Sequence, residues 1–560
     1  MRRLSSFVAL LLATAGLALA GPVGTADAAT LTVCPSGCAY DSVGAAVAAA
    51  SAGDTITVAA GTYTEPATIH VTMPLTITGA GAGATIVDGA GTASPIFDLR
   101  PGPHTGVGVI TVSNMTLRNA GSGFDVVVKA NNPTTDTTAM TLDSLDIDAT
   151  GTSLAVYASG GPARNGAERV APAFTMKNTT VTGQGGNAVQ LDTYFGATTL
   201  RGNHLAEGSN GNSAIDVYNE YSTAQNAYPL VIDGNTSDGR LVYAQNFTSA
   251  PFNTYGGLSS IAVTNNTISN LSAADPGIFV GTASTDGALA TRVGTATVTG
   301  NRIRGNGSTA SAGVQIAGYV EHAAVTGNDI VGVGDAVRVS TVSGQSAGQV
   351  AVNKNRLFAD TNGVANATSA AVDANGNWWG CQDGPAATTA AALAYCSRAA
   401  NTGGGSIGVA NWVVNTVATD KSSLAFGSND VAHVSGTLSR LNTGATANLP
   451  DFFQGLPAAF AAAHGSVSPA AATLDGSLGA GTTYSMPSSY SSTDTVTVAL
   501  DGATVGGHVV TGQPVVVPLT IKPAPLLSLV VLLGSTTGVT ASVGNLFGGV
   551  LLNAWALLHF

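Results

Sequence analysis

Charge is scarce in this chain of 560 residues: Asp, Glu, Lys and Arg make up 9% of it, against roughly 25% in an ordinary soluble domain. With a net charge of -12 and no basic run, it has no electrostatic footprint for phosphate backbones, so nucleic acid is excluded as a partner. The acidic balance bears only on solubility. No apolar run reaches the roughly 20 residues that cross a bilayer as a helix. The eight histidines (His70, His104, His204, His322, His433, His464, His508 and His559) are scattered, with no pair at metal-ligand spacing. No G-x-S-x-G elbow precedes a helix, which removes the signature of one class of serine hydrolase.

Cysteine stops at four, in two local pairs: Cys34 with Cys38 in CPSGC, and Cys381 with Cys396 in CQDGPAATTAAALAYC. An even set in an exported chain favours disulfides over zinc, since neither pair has histidines at ligand spacing. Export is expected from residues 1 to 28, where Arg2 and Arg3 precede an apolar run of about 14 residues and small residues offer cleavage sites. The expected location is therefore secreted or cell-surface. Glycine is plentiful, at 71 residues, and with abundant Ala, Thr, Val, Asn and Ser it suits many short strands joined by tight turns.

A repeat runs through the middle of the chain. An alternating apolar stretch, an Asn or Gly-Asn, then Ile, Leu or Val recurs in VSNMTL, LDSLDI, MKNTTV, LRGNHL, VIDGNTS, VTNNTI, VTGNRI, VTGNDI and VNKNRL. Each copy is followed by a glycine-rich loop and a second short strand, among them VVVKA, LAVYA, AVQLD, AIDVY, GIFVG, GVQIA and AVRVS. Two strands and a turn per repeat, with no helical period between them, predict the stacked coils of a β-solenoid, because one coil alone cannot bury its apolar residues. Asn203, Asn266, Asn301, Asn328 and Asn355 then form a column at one bend. Asparagine suits it twice over, tolerating a left-handed backbone and offering an amide to the next coil.

The segments DSVGAAVAAASAGDTITVAAGTYTE and LTITGAGAGATIVDGAG resemble the first coils of right-handed parallel β-helix proteins of the pectate-lyase-like superfold. There a short amphipathic helix closes the solenoid, and Val43, Ala46, Val47 and Ala50 share one helical face here. The likeness covers roughly residues 31 to 412, and NWWG…GP near its end recurs in such secreted proteins. It implies a fold and no activity, since the superfold carries lyases, hydrolases, esterases, phage tailspikes and non-catalytic surface proteins. Residues 413 to 522 show turn signals every 8 to 12 residues, as in a β-sandwich. FAAAHGSVSP and VTVALDG make this part similar to the immunoglobulin-like domains of bacterial surface proteins. The expected organisation is a signal peptide (1–28), an all-β right-handed parallel β-helix with an N-terminal capping helix (29–412), an immunoglobulin-like sandwich (413–522) and an apolar tail (523–560). That tail is a candidate for envelope association.

A β-helix offers the outer face of a sheet, where outward side chains of successive coils stand in columns. Aligning the second strands gives one column of Val127, Ala155, Gln190, Asp216, Tyr243, Phe279, Gln315 and Arg338, and another of Lys129, Tyr157, Asp192, Tyr218, Gln245, Gly281, Ala317 and Ser340. Tyrosines and phenylalanines cluster between residues 157 and 255. Flat sugar faces stack on such rings while sugar hydroxyls seek amides and carboxylates. Lys129, Tyr157, Gln190, Tyr218, Tyr243 and Gln245 are thus the candidate ligand-binding residues, with a polysaccharide or cell-surface glycan as partner. The leading reading is non-catalytic binding. The alternative is a polysaccharide lyase or glycoside hydrolase acting on an acidic polysaccharide through Asp192, Asp216 and Glu220. Asp192 and Asp216 fall on adjacent coils about 8 Å apart, within the range for inverting hydrolysis. No metal site or cofactor is expected, with calcium beside a uronate the one exception admitted.

Last, GNWWGCQDGP aligns Asn377 with the asparagine column and Trp379 with the anchoring Ile or Leu of other coils. A final coil has no successor, so Trp379 is read as a plug and Cys381–Cys396 as a staple on the closing loop. Trp378 should alternate to the other side of the strand, where it could stack on a ligand.

Overall fold

The computed structural model describes residues 28–102, 108–123, 125–131, 138–159, 173–192, 196–218, 226–246, 258–271, 276–282, 293–342, 344–358, 360–386, 394–523, 527–528 and 545–546. The described residues between 28 and 408 form a right-handed parallel β-helix of triangular section. One wall is a twelve-stranded parallel sheet running from Ile69–Val71 to Arg398–Asn401, here called face 3. The other two walls, face 1 beginning with Thr30–Val33 and face 2 beginning with Gly61–Thr64, meet at a corner so tight that Val109–Arg118 and Ala139–Asp148 run through it as single strands. Inward Val, Ile and Leu from all three walls form one continuous core along the axis. Each such side chain contributes roughly 1.5–3 kcal/mol on burial.

The N-terminal end is closed as expected. The helix Val43–Ala49 is capped by Ser42, whose hydroxyl accepts from the Ala45 amide at 3.2 Å. Buried Glu65 accepts from the Val43 amide at 2.6 Å, and Val43, Ala46, Val47 and Ala50 are all buried. Cys34–Cys38 and Cys381–Cys396 are both disulfides.

The asparagine column is real and longer than the sequence reading had it. Asn203, Asn235, Asn266, Asn301, Asn328, Asn355 and Asn377 are all buried at the corner between faces 1 and 2. Each Oδ1 from Asn235 onward accepts the backbone N–H and the Nδ2–H of the asparagine one coil earlier, as Asn328 does from Asn301 at 2.9 Å. Each Nδ2 also donates back to a strand carbonyl of the preceding coil, as Asn301 does to Val263 at 2.8 Å. The left-handed backbone, however, belongs to the residue before. Gly202, Gly234, Asn265, Gly300, Gly327, Lys354 and Gly376 carry the positive φ, which frees the asparagine itself to be an internal amide. The two roles assigned to one residue are divided between neighbours.

After Trp412 two sheets share a separate core. One is four-stranded and antiparallel (Val413–Thr419, Val431–Leu441, Gly479–Ser485, Ser466–Ser468). The other is five-stranded (Ser423–Ala425, Val515–Lys522, Thr493–Leu500, Pro457–Ala462, Ala471–Thr473). This is a β-sandwich, seated directly on the last coils of the solenoid. Arg356, fully buried, forks onto Asp501 of the sandwich at 2.7 and 2.9 Å, bonds Asp329 of the adjacent coil at 2.7 Å and lies over the Phe358 ring. Burial alone would push Asp329 upward, but the guanidinium groups of Arg356 and Arg304 hold its carboxyl below the ordinary range. Beside them Asp360 is pushed well above that range by burial, and its Oδ2 has no hydrogen-bond partner.

Both adjacent tryptophans are wholly buried. Trp379 belongs to the solenoid core and closes over Gly363, where a Cβ would stand 2.6 Å from the indole ring. Trp378 does alternate to the other side, but into the sandwich core, with its Nε1 donating to Asp501 at 2.7 Å. The expectation that it could stack on a ligand is thereby overturned, because the sandwich occupies that space.

Of the apolar tail, Leu527–Ser528 pairs antiparallel with Asn545–Leu546. The proposed signal peptide and the rest of the tail lie outside the described residues. No helix among the described residues is long and apolar enough to cross a membrane.

Candidate functional site

The outward side chains of face 3 form the chemically richest surface among the described residues. Ile215 and Val217 point into the core, so Asp216 between them points out, and the same alternation turns Gln190, Tyr243 and Phe279 outward, the first two half-buried and Phe279 buried. Strand register fixes the columns. The first reads His70, Asp98, Lys129, Tyr157, Gln190, Asp216, Tyr243, Phe279, Gln315 and Arg338. The sequence alignment had Val127 and Ala155 in this column. Both are fully buried, and Lys129 and Tyr157 take their places. The second column then reads Asn131, Ser159, Asp192, Tyr218, Gln245 and Gly281.

This one-column shift brings Tyr157 into contact with Asp192. The Tyr157 hydroxyl donates to Asp192 Oδ2 at 2.6 Å, diagonally across one coil step. Asp216, buried, sits in register between half-buried Gln190 and Tyr243. The rings of Tyr243 and Phe279 stack at 4.5 Å between centroids with 21° between planes, inside the range where aromatic pairs attract. Beyond them Gln315 donates to Ser340 at 2.8 Å, and Arg338 is tied to Asp335 at 2.6 Å. From Lys129 to Phe279 the column spans five coil steps, about 24 Å, and changes residue at each.

Asp192 and Asp216 thus lie on one face, on adjacent coils and two residues out of register. Glu220 lies outside the described residues, as do the side chains of Tyr218 and Gln245, whose strands alone are described. His70, Asp98 and Arg100 were not singled out in the sequence, yet they extend the same surface. Asp98, buried, accepts from Arg100 at 2.9 Å and contacts His70 at 3.2 Å. Their signal was the alternation in IHV and FDLR, too short to register before the loop lengths were known. Among the described residues no group of three or more His, Cys, Asp or Glu is placed to hold a metal ion. Two other hollows lie away from this face. One of about 530 Å³ on face 1 is lined by Thr295, His322, Gln349 and Asp373, and one of about 550 Å³ on the sandwich by Thr419, His433 and Thr483. Neither gathers aromatic rings.

No family model matches the chain, and no curated protein sequence matches it either. Among solved structures, it is similar to the catalytic domain of a GH87 alpha-1,3-glucanase in complex with nigerose, at 12% identity, covering 63% of this chain and 67% of that one with a TM-score of 0.39. It is similar also to a tailspike protein mutant of E. coli bacteriophage HK620, at 13% identity over 80% of this chain and 86% of that one, TM-score 0.38. Likenesses this distant carry no argument about ligand or reaction; the fold stands on the strand pairing above.

Proposed function

We propose that this is an exported, non-catalytic β-helix protein that binds a polysaccharide or cell-surface glycan along face 3. The observation that carries the reading is the in-register run Lys129, Tyr157, Gln190, Asp216, Tyr243, Phe279, which offers the half-buried Tyr157 and Tyr243 rings, an amide and a cation in one line, with buried Phe279 backing Tyr243. Such a line suits a chain of sugars lying along the solenoid axis. Binding is favoured over hydrolysis because Asp216 is buried and Asp192 already accepts the Tyr157 hydroxyl, whereas hydrolysis needs two accessible acids. Export is supported by the N-terminal sequence and by two disulfides. In this reading the sandwich is an immunoglobulin-like spacer fixed to the solenoid, and the apolar tail associates with the cell envelope.

One observation favours the second reading, a glycoside hydrolase or polysaccharide lyase: Asp192 and Asp216 share a face on adjacent coils. The two readings separate in one experiment. The full chain and its Tyr243→Ala and Asp192→Ala variants are tested for glycan-array binding and for release of reducing or unsaturated ends from pectin, alginate and neutral glucans. Binding lost in Tyr243→Ala, with no product from wild type, is the expected result. Product release that disappears in Asp192→Ala would replace it with the enzyme.

A further inference from the structure

Face 1 differs in kind from face 3. Its strands read TLTV, TITV and TITG in Thr30–Val33, Thr55–Val58 and Thr76–Gly79. Register aligns Thr30, Thr55, Thr76, Thr111, Thr141, Thr175 and Thr199 in one outward column of seven consecutive coils. Two residues on, Thr32, Thr57, Thr78 and Ser113 form a second column before charge enters with Asp143, which pairs with Lys177 at 3.2 Å. Between the columns Ile56, Ile77, Val112, Leu142, Met176 and Leu200 are buried, so both columns stand on one wall. The threonines are exposed or half-exposed. No register shift interrupts these pairings.

The result is a rectangular mesh of hydroxyl and methyl groups, with a step of about 4.8 Å between coils and about 6.6 Å along the strand. Threonine is branched at Cβ and stiff at χ1, so the groups are held in place before anything binds. Two features identify what such a surface fits. It carries neither charge nor aromatic ring over its first four coils, while face 3 carries both, so it lacks the means of holding acidic polymers or stacking sugars. Its two repeats are close to those of oxygen atoms on a prism face of hexagonal ice. A hydroxyl in each cell can take the place of a lattice water while the methyl fills the space between. Each contact is weak, but a rigid array makes them all at once, with no ordering cost left to offset.

We infer that face 1 is an ice-binding surface, its ligand the ordered water lattice of an ice crystal. The inference is independent of the glycan reading, since the two surfaces occupy different walls.

The test uses the full chain in ice-affinity partition and in inhibition of ice recrystallisation. Wild type is expected to enter slowly growing ice, and Thr55→Lys/Thr76→Lys, which raises two long cations in the centre of the mesh, to partition about tenfold less, a loss of about 1.4 kcal/mol. Thr199→Lys, at the far end of the column, is expected to retain most of the partition. Circular dichroism and glycan-array binding report that the fold and face 3 are intact in each variant. Exclusion of wild type from ice to the same degree as an inert protein overturns the inference, as does equal partition of wild type and the double variant. Loss of glycan binding in Tyr243→Ala with ice partition unchanged would show that each surface stands or falls alone.

Discussion

Two columns run along the axis of the same solenoid and obey opposite rules. At the corner of faces 1 and 2 the same residue recurs for seven rungs, wholly buried, its amide bonded to the adjacent rungs and to a strand carbonyl of the coil before. On face 3 the residue changes at every coil, from Lys129 through Asp216 to Arg338. Repetition inside marks what stacking requires; variety outside marks positions that stacking leaves free. The threonine column of face 1 is the informative third case, because it repeats although it is exposed and stacking does not demand it.

Breaking the ladder should have the largest effect. Asn301→Ala strips partners from the N–H and Nδ2 of Asn266 and from the Val263 carbonyl, all buried. At about 1–3 kcal/mol for each orphaned group, a loss of roughly 3–5 kcal/mol is expected in the urea midpoint. Asn203→Ala, at the start of the ladder, should cost less than Asn301→Ala, since its Oδ1 accepts a single N–H, that of Thr179, in place of two from an earlier rung; equal losses would show that the rungs do not act as neighbours. Tyr243→Ala should cost only about 1 kcal/mol, the worth of one stacked pair, while lowering glycan binding about tenfold. A stability loss as large as that of Asn301→Ala would erase the contrast between the columns.

The last effect concerns pH. Burial favours the protonated form of Asp360, so the folded chain releases this proton at higher pH than the unfolded chain, which releases it near pH 4. The folded chain therefore binds more protons above that pH, and stability falls as pH rises. Asp360→Asn should flatten this decline, leaving stability less dependent on pH above about pH 4. Asp494 runs the other way. Burial raises it, but hydrogen bonds from Tyr484, Thr495, Gly465 and His464 hold it low, so its contribution is present above about pH 4 and is lost as pH falls further. Melting curves between pH 3 and pH 8 read both.

Much of this was legible in the sequence. The repeat, the capping helix, both disulfides and the ladder follow from local patterns: period-two alternation, Gly-Asn at a bend, and paired cysteines. What was missed depended on distance along the chain. Lys129 and Tyr157 were assigned to the wrong column because Val126 and Val127 are both buried, which breaks the alternation that sets the register. Trp378 was offered to a ligand because nothing near residue 378 shows that Asp501, 123 residues later, receives its indole. The division of labour at the bend was hidden for another reason: both members of the pair are drawn from Gly, Asn and Lys, and only the backbone tells them apart.

The ladder also has a bearing on ancestry. Asn301, Asn328 and Asn355 are spaced 27 residues apart in both intervals, and each rung presents an acceptor to the coil before it and donors to the coil after. A tandem duplication of one such segment would insert a coil whose amides meet the same partners on both sides. The gene can therefore lengthen or shorten this molecule in whole coils without redesigning the corner. The length of both exposed walls is then open to selection, coil by coil.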